Sequence, residues 1–249
     1  MTATGRASGV MFWLFVVIMA ALTVVFVALG SWQLARLAEK ENLAALIAAR
    51  IDGAPVALPP VAAWPALDPA TLEYGPVTIE GSYLPDGTVL VFTSLASPRG
   101  RYSGAGYWVM TPLRTAGGGI VFINRGFVPQ AAADQVPAPP DGMIEIAGIA
   151  RVPEQVSAFT PAPDPARRID WVRDPERLAA QTDLGDAPIA PLTIDLPSAG
   201  EGVLPQGGET VLSFSNNHLG YAITWFGFAL ITPLLLGLWI WRQLRPAAG

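Results

Sequence analysis

VMFWLFVVIMAALTVVFVAL, Val10 to Leu29, contains no charged residue, and its one hydroxyl is Thr23. At about 1.5 Å of rise per residue, such a run covers a hydrocarbon core of about 30 Å. A second run, LGYAITWFGFALITPLLLGLWIW, extends from Leu219 to Trp241. It carries Tyr221, Trp239 and Trp241 near its ends, where membrane interfaces favour amphipathic rings. Pro233 within it is compatible with a membrane helix, whose neighbours re-satisfy a lost backbone bond. The two runs predict a fold of two transmembrane helices flanking a mostly antiparallel β extracytoplasmic domain.

Composition agrees with a chain partly in lipid. Of 249 residues, 51% are hydrophobic and 14% charged, with a mean hydropathy of +0.40; a soluble domain carries about 25% charged residues. There is no cysteine and one histidine. This excludes a disulfide framework, a thiolate metal site, a cysteine nucleophile and a multi-histidine metal cage. The tails outside the runs hold Arg6, Arg242 and Arg245 and no acid, whereas the loop between them holds all 20 acids and has a net charge of −8. Positive tails face the cytoplasm, and long loops translocate largely regardless of charge. The expected layout is a cytoplasmic tail over 1–9, helix one over 10–29, a periplasmic β-rich domain over 30–218, helix two over 219–241 and a cytoplasmic tail over 242–249. That is a bacterial inner (cytoplasmic) membrane protein with both termini cytoplasmic. A cleaved signal peptide ending at Ala28-Leu29-Gly30 is the alternative, although the apolar run exceeds the ~7–15 residues of a signal core.

Inside the loop, residues 31–51 are rich in Ala, Leu, Glu, Lys and Arg, good helix formers that extend the first helix. Asp52-Gly53-Ala54-Pro55 stops it. After the proline-rich stretch Pro55 to Pro69, the pattern changes to period two from Val77 to Tyr83. Pro85-Asp86-Gly87 marks a turn before a β-rich run from Thr88 to Leu95. Tyr107 to Leu113 and Ile120 to Asn124 form an expected hairpin, Met143 to Ala150 another strand, and Leu192 to Leu196 and Thr210 to Phe214 late strands. Asp174-Pro175-Glu176 reads as a capped helix start. Six to eight strands are expected.

The chemistry available is narrow. In a helix, His218, Ala222, Trp225, Ala229 and Thr232 share a face, with Tyr221 one turn from His218. Such a strip suits an apolar planar ligand with a metal centre, since haem iron takes an axial histidine with apolar packing of its ring. A lone interfacial histidine also reads as a polar end-group, and Trp225 as a residue facing lipid or the first helix. Arg99, Arg101 and Arg125 could hold propionates or a partner's carboxylates, or be solvated loop charges or members of local ion pairs. Small residues Ala20, Ala21 and Ala28 on one run, and Gly220, Ala222 and Gly227 on the other, permit close approach of the two helices. A Ser–His–acid triad would need His218, which has no nearby acid in sequence. The Gly117-Gly118-Gly119 run lacks the lysine of a phosphate loop, and the acidic loop argues against nucleic acid. An enzyme is not expected.

Several stretches, in order along almost the whole chain, resemble one family. They are Leu29-Gly30-Ser31-Trp32-Gln33 with Arg36 and Lys40, then Tyr74-Gly75-Pro76-Val77 leading to Gly81, then Gly106-Tyr107-Trp108-Val109-Met110-Thr111-Pro112-Leu113. After these come Val121-Phe122-Ile123-Asn124-Arg125-Gly126-Phe127-Val128-Pro129 and Asn217-His218-Leu219-Gly220-Tyr221-Ala222-Ile223-Thr224-Trp225-Phe226. Together they resemble the surfeit locus protein one family of cytochrome c oxidase assembly factors. Phe127 departs from the tryptophan usual in that family, and the proline-rich stretch around Pro161 has no assigned role.

The resemblance implies an assembly factor for a haem–copper terminal oxidase that binds haem a transiently and assists its delivery into the large catalytic subunit. It implies His218 as the axial ligand of the haem iron, with Trp225 and Tyr221 packing on the ring. The implied partners are the oxidase large subunit, haem a synthase and membrane lipid. Asn124, Arg125 and Gly126 are expected to contact a partner. The alternative is a membrane-anchored scaffold that stabilises an oxidase assembly intermediate without carrying haem.

Overall fold

An unbroken helix, α1 (Gly9–Ile51), carries the chain through the first apolar run and on through the Ala- and Leu-rich segment after it. The computed structural model describes residues 9–210 and 217–244. The expected strand over Thr210 to Phe214 therefore lies outside the described residues apart from Thr210, which is not in a strand, and so do Arg6 and Arg245 of the tails. The chain forms two units: residues 1–45 with 214–249, and residues 46–213.

In the first unit α1 pairs with the C-terminal helix, here α3 (His218–Leu244). Both are long and apolar enough to cross a membrane. The pairing follows from spacing. On α1 the less exposed positions include Phe12, Val16, Met19, Thr23, Phe26, Gly30, Gln33, Leu37 and Lys40; on α3 they include His218, Ala222, Trp225, Ala229, Thr232 and Leu236. Steps of three and four alternate on both, the seven-residue pattern that keeps a seam facing a partner helix. Phe12 stacks on Trp239 with ring centroids 5.2 Å apart, and Phe26 on Trp225 at 5.9 Å. The contacts thus run antiparallel. Thr23 and Thr232 donate their hydroxyls to Met19 and Phe228 carbonyls within their own helices, so neither brings an unpaired hydroxyl into the seam.

Of the six small residues expected to allow close approach, only Ala222 lies buried in the seam. Ala20, Ala21 and Ala28 are exposed, and a Cβ on Gly220 or Gly227 would meet nothing within 4 Å. Gly30 and Ala229 serve instead. A Cβ on Gly30 would stand 2.8 Å from the Phe226 ring.

The second unit is a sheet domain. Its strands are β1 (Val56–Ala57), β2 (Pro76–Tyr83), β3 (Val89–Leu95), β4 (Gly104–Thr115), β5 (Ile120–Pro129), β6 (Met143–Arg151), β7 (Ile169–Asp170) and β8 (Ile189–Asp195). The order is β1-β2-β6-β8-β5-β4-β3-β7, and a further β2–β4 pairing closes β2, β6, β8, β5 and β4 into a ring. β4 makes both closures possible: its first half pairs with β3 and its last residues with β2. The sheet is mixed rather than simply antiparallel, with parallel pairings β1–β2, β3–β7 and β5–β8. The last has a geometric cause. A ring of five strands cannot alternate direction all the way round, so one neighbouring pair must run parallel.

β5 is covered on both faces. Val121 and Ile123 join Val77, Leu113, Ile146, Leu192 and Ile194 in one core, into which Trp64 packs with its indole N–H donating to the Pro59 carbonyl at 2.8 Å. Ile120 and Phe122 join Val89, Val91, Met110, Phe127 and Leu178 in a second. Burial on both faces explains why the strand reads as a continuous apolar run without alternation. Leu178 comes from a short helix, α2 (Pro175–Ala179), capped by the Asp174 carboxylate accepting from the Arg177 N–H at 2.9 Å.

Candidate functional site

The helical pair gathers the residues expected at a haem site, but in an arrangement the sequence did not disclose. His218 begins α3 and lies on the seam face. Its Nδ1 is 2.7 Å from Oε1 of Gln33 on α1. A carbonyl oxygen only accepts, so Nδ1 donates, and in a neutral ring the lone pair then lies on Nε2. Nε2 has no hydrogen-bond partner among the described residues.

The strip His218, Ala222, Trp225, Ala229 and Thr232 does share one face, but α1 covers it. Ala222 is 1% exposed and Trp225 is stacked on Phe26. A planar ligand cannot lie along that face while the helices are paired. What stays open is the flank beside it. Tyr221 is exposed, and Phe228 is partly exposed within an aromatic cluster with Trp225 and Phe26, at centroid distances of 6.1 and 5.5 Å. Tyr221, Trp225 and Phe228 follow one another at steps of four and three, so His218 heads an aromatic edge rather than an aromatic face.

Asn124, Arg125 and Gly126 lie in the sheet domain, where Asn124 and Gly126 are buried in its internal packing. Asn124 is 4% exposed; its amide donates to Asp195 at 3.0 Å, and its side-chain oxygen accepts from the Gly126 N–H at 3.1 Å. Gly126 has φ +128° and lies against the Gln206 backbone, where a Cβ has no room. Phe127 and Gln206 then exchange two backbone hydrogen bonds of 2.9 and 2.8 Å. The motif therefore turns the strand and pins the 196–209 segment to it. Only the Arg125 side chain is partly exposed.

Arg125 stands near Tyr83 at the end of β2. Burial pushes the Tyr83 hydroxyl up to about 12, with the Arg125 charge opposing part of the rise. Burial also lowers the Arg125 guanidinium from its ordinary value, partly offset by Tyr83. The fold therefore favours protonated Tyr83. An ordinary tyrosine titrates near pH ~10, so this contribution is intact below that pH and is lost as pH rises through about 12. Over that interval wild type should lose about 2–3 kcal/mol more than Tyr83→Phe. Urea unfolding of both proteins in detergent from pH 9 to 12 checks this; parallel curves would contradict it.

Two polar networks in this domain had no sequence signal beyond the motif. Asp195, 3% exposed, accepts from Asn124 and Thr210 and pairs with Arg173 at 3.4 Å and Arg151 at 3.7 Å. Burial alone would lower the Arg173 pKa, but the carboxylates of Asp195 and Glu154 outweigh it and hold the charge. Glu209, 5% exposed, accepts the backbone N–H of Arg99 and Gly100 and the Gln206 amide. Arg99 and Arg101 line a cleft of about 840 Å³ with Ile149, Leu196 and Pro197. No cluster of three or more potential metal ligands occurs among the described residues.

Comparison with known proteins gives a consistent result. The family model described as the SURF1 family matches residues 20–230, a span that holds both Gln33 and His218. A SURF1-like protein of Monosiga brevicollis is 32% identical, across 97% of this chain and 90% of its own. Surfeit locus protein 1 of Rattus norvegicus is 30% identical, covering 89% of this chain and 73% of its own. The Homo sapiens protein of the same name is also 30% identical, with 89% and 75% covered.

Proposed function

Because this chain belongs to the SURF1 family, we propose that it is a membrane-anchored assembly factor for a haem–copper terminal oxidase, holding haem a as cargo for the large catalytic subunit. It is read as a carrier and not as an enzyme. The observation that carries this reading is the position of the sole histidine, at the head of the helical pair with its Nε2 free among the described residues and an aromatic edge below it. A very apolar macrocycle with a long isoprenoid tail needs a ligand near the membrane surface and an apolar path beneath it. His218 supplies the nitrogen; Tyr221, Trp225 and Phe228 supply the edge.

The membrane placement has physical support. The antiparallel pair brings the Phe12 end of α1 and the Trp239 end of α3 together, so the helix ends that lead to the two tails lie on one side. Their arginines favour the cytoplasm, which leaves the sheet domain in the periplasm of a bacterial inner membrane. There it meets the oxidase subunit and the haem a synthase. A ligand that must be handed on is held by one exchangeable nitrogen, without a metal cage.

One observation favours the scaffold reading: the face expected to cradle the ring is covered by α1. Complementation separates the two. In cells lacking this protein, His218→Ala should fail to restore the haem a absorbance of the membranes. Full rescue by His218→Ala, with failure by Arg125→Ala, would establish the scaffold instead.

A further inference from the structure

We propose that Gln33 is the positioning residue for His218, fixing by one interhelical hydrogen bond the tautomer in which Nε2 can bind iron; this rests on the haem-handling reading above. The two side chains lie on different helices, 185 residues apart in sequence, with Nδ1 and Oε1 2.7 Å apart. Gln33 is only 9% exposed. A primary amide in a mostly apolar seam is costly unless hydrogen-bonded. It also loses the rotamer freedom of a long side chain. The two threonines of the seam bond within their own helices; Gln33 reaches across to the only imidazole in the chain.

The consequence is chemical. Neutral imidazole in water favours the proton on the nitrogen farther from the chain, the tautomer in which Nε2 is blocked. An acceptor held against Nδ1 reverses that preference and fixes the ring orientation. Helix pairing is therefore a condition of ligand readiness: separating α1 from α3 releases the ring from Gln33. Such coupling gives a carrier a means of loosening its cargo without changing any ligand.

With one histidine in the chain, nitrogen-15 labelling of histidine gives a single ring, so the tautomer can be read directly. The full chain is measured in detergent micelles without haem, at a pH where the ring is neutral. Wild type should show Nδ1 protonated and Nε2 bare. Gln33→Leu, which suits the apolar seam, should shift the ring towards the opposite tautomer, and Gln33→Glu, which keeps an acceptor, should restore it. A purely structural contact would not reproduce this pattern. Haem a titration should then show weaker binding by Gln33→Leu, about 10–100-fold as for other outer-shell partners of a ligating histidine, with recovery in Gln33→Glu. Nε2 protonated in wild type, or a tautomer indifferent to Gln33→Leu, overturns the assignment. Wild-type haem affinity in His218→Ala overturns the haem reading, and with it any role of Gln33 towards iron, whatever the tautomer.

Discussion

Asp195→Ala should cost about 3–5 kcal/mol of stability in the sheet domain, the range for stripping one partner from a buried ion pair. The Asp195 carboxylate lies where β5, β6 and β8 meet, paired in register with Asn124 and Ile149. Its loss leaves Asn124 without its acceptor and two guanidiniums in an interior site. Arg173 keeps Glu154, whose Oε1 lies 2.7 Å from its Nε. Among the described residues, Arg151 then keeps the face of the Tyr74 ring, 4.6 Å from its Cζ; its link to Asp195 at 3.7 Å is ionic and not a hydrogen bond. Since domains are stable by about 5–15 kcal/mol, the loss removes a large share of the total and should lower the amount of variant in cells. Asp195→Asn retains an oxygen for Asn124 and loses the charge, so it should be less damaging. Urea midpoints of the purified proteins in detergent measure both; a cost below about 1 kcal/mol, as for a surface pair, would mean that the network is not built as described.

Phe127→Ala should be comparably severe, at about 3–5 kcal/mol for a large aromatic removed from a packed core. The ring is fully buried and packs edge-on against Trp108, with centroids 5.9 Å apart. It also fills the space over Gly106, where a Cβ would stand 2.5 Å from the ring. Removing it detaches β4 from β5 at the point where the chain turns to pair with Gln206. Phe127→Leu should cost less, because it retains most of the apolar volume. Thermal unfolding followed by near-ultraviolet circular dichroism, which sees Trp108 lose its neighbour, checks the series. Equal midpoints for wild type and alanine would place the ring outside the core.

The elements legible in the sequence were those with a sustained period. Val77 to Tyr83, Met143 to Ala150 and the Asp174-capped helix were found nearly at their true limits. β8 begins at Ile189, three residues before the expected start, because Ala190 and Pro191 weaken the β pattern. β1 and β7, of two residues each, are too short to have a period. The closure of β2 on β4 could not be read at all, since register between strands far apart in sequence is set by tertiary packing.

The candidate site shows the same division. The sequence places His218, Tyr221 and Trp225 close together because they share one helix and one motif. Gln33 lies in the motif Leu29-Gly30-Ser31-Trp32-Gln33, yet the helix propensity of residues 31–51 gives no sign of its contact with His218. The usable signal was the alternating three-and-four spacing from Phe12 to Gln33. In it, Gln33 is the one amide among apolar and small residues, apart from the self-satisfied Thr23. The same spacing places Trp225 in the seam and not on an open face. The burial of Asn124 and Gly126 could not be read from sequence, because a motif alone does not separate surface from core.

The most direct test is an optical spectrum of the detergent-purified protein, co-expressed with the haem a biosynthetic enzymes, beside His218→Ala. The proposed function predicts a haem a signal in wild type that is lost or shifted in the variant. Equal haem a spectra in both would remove His218 as the ligand. No haem in either protein, in cells that make haem a, would contradict the carrier role and leave the sheet domain as the working part of a scaffold.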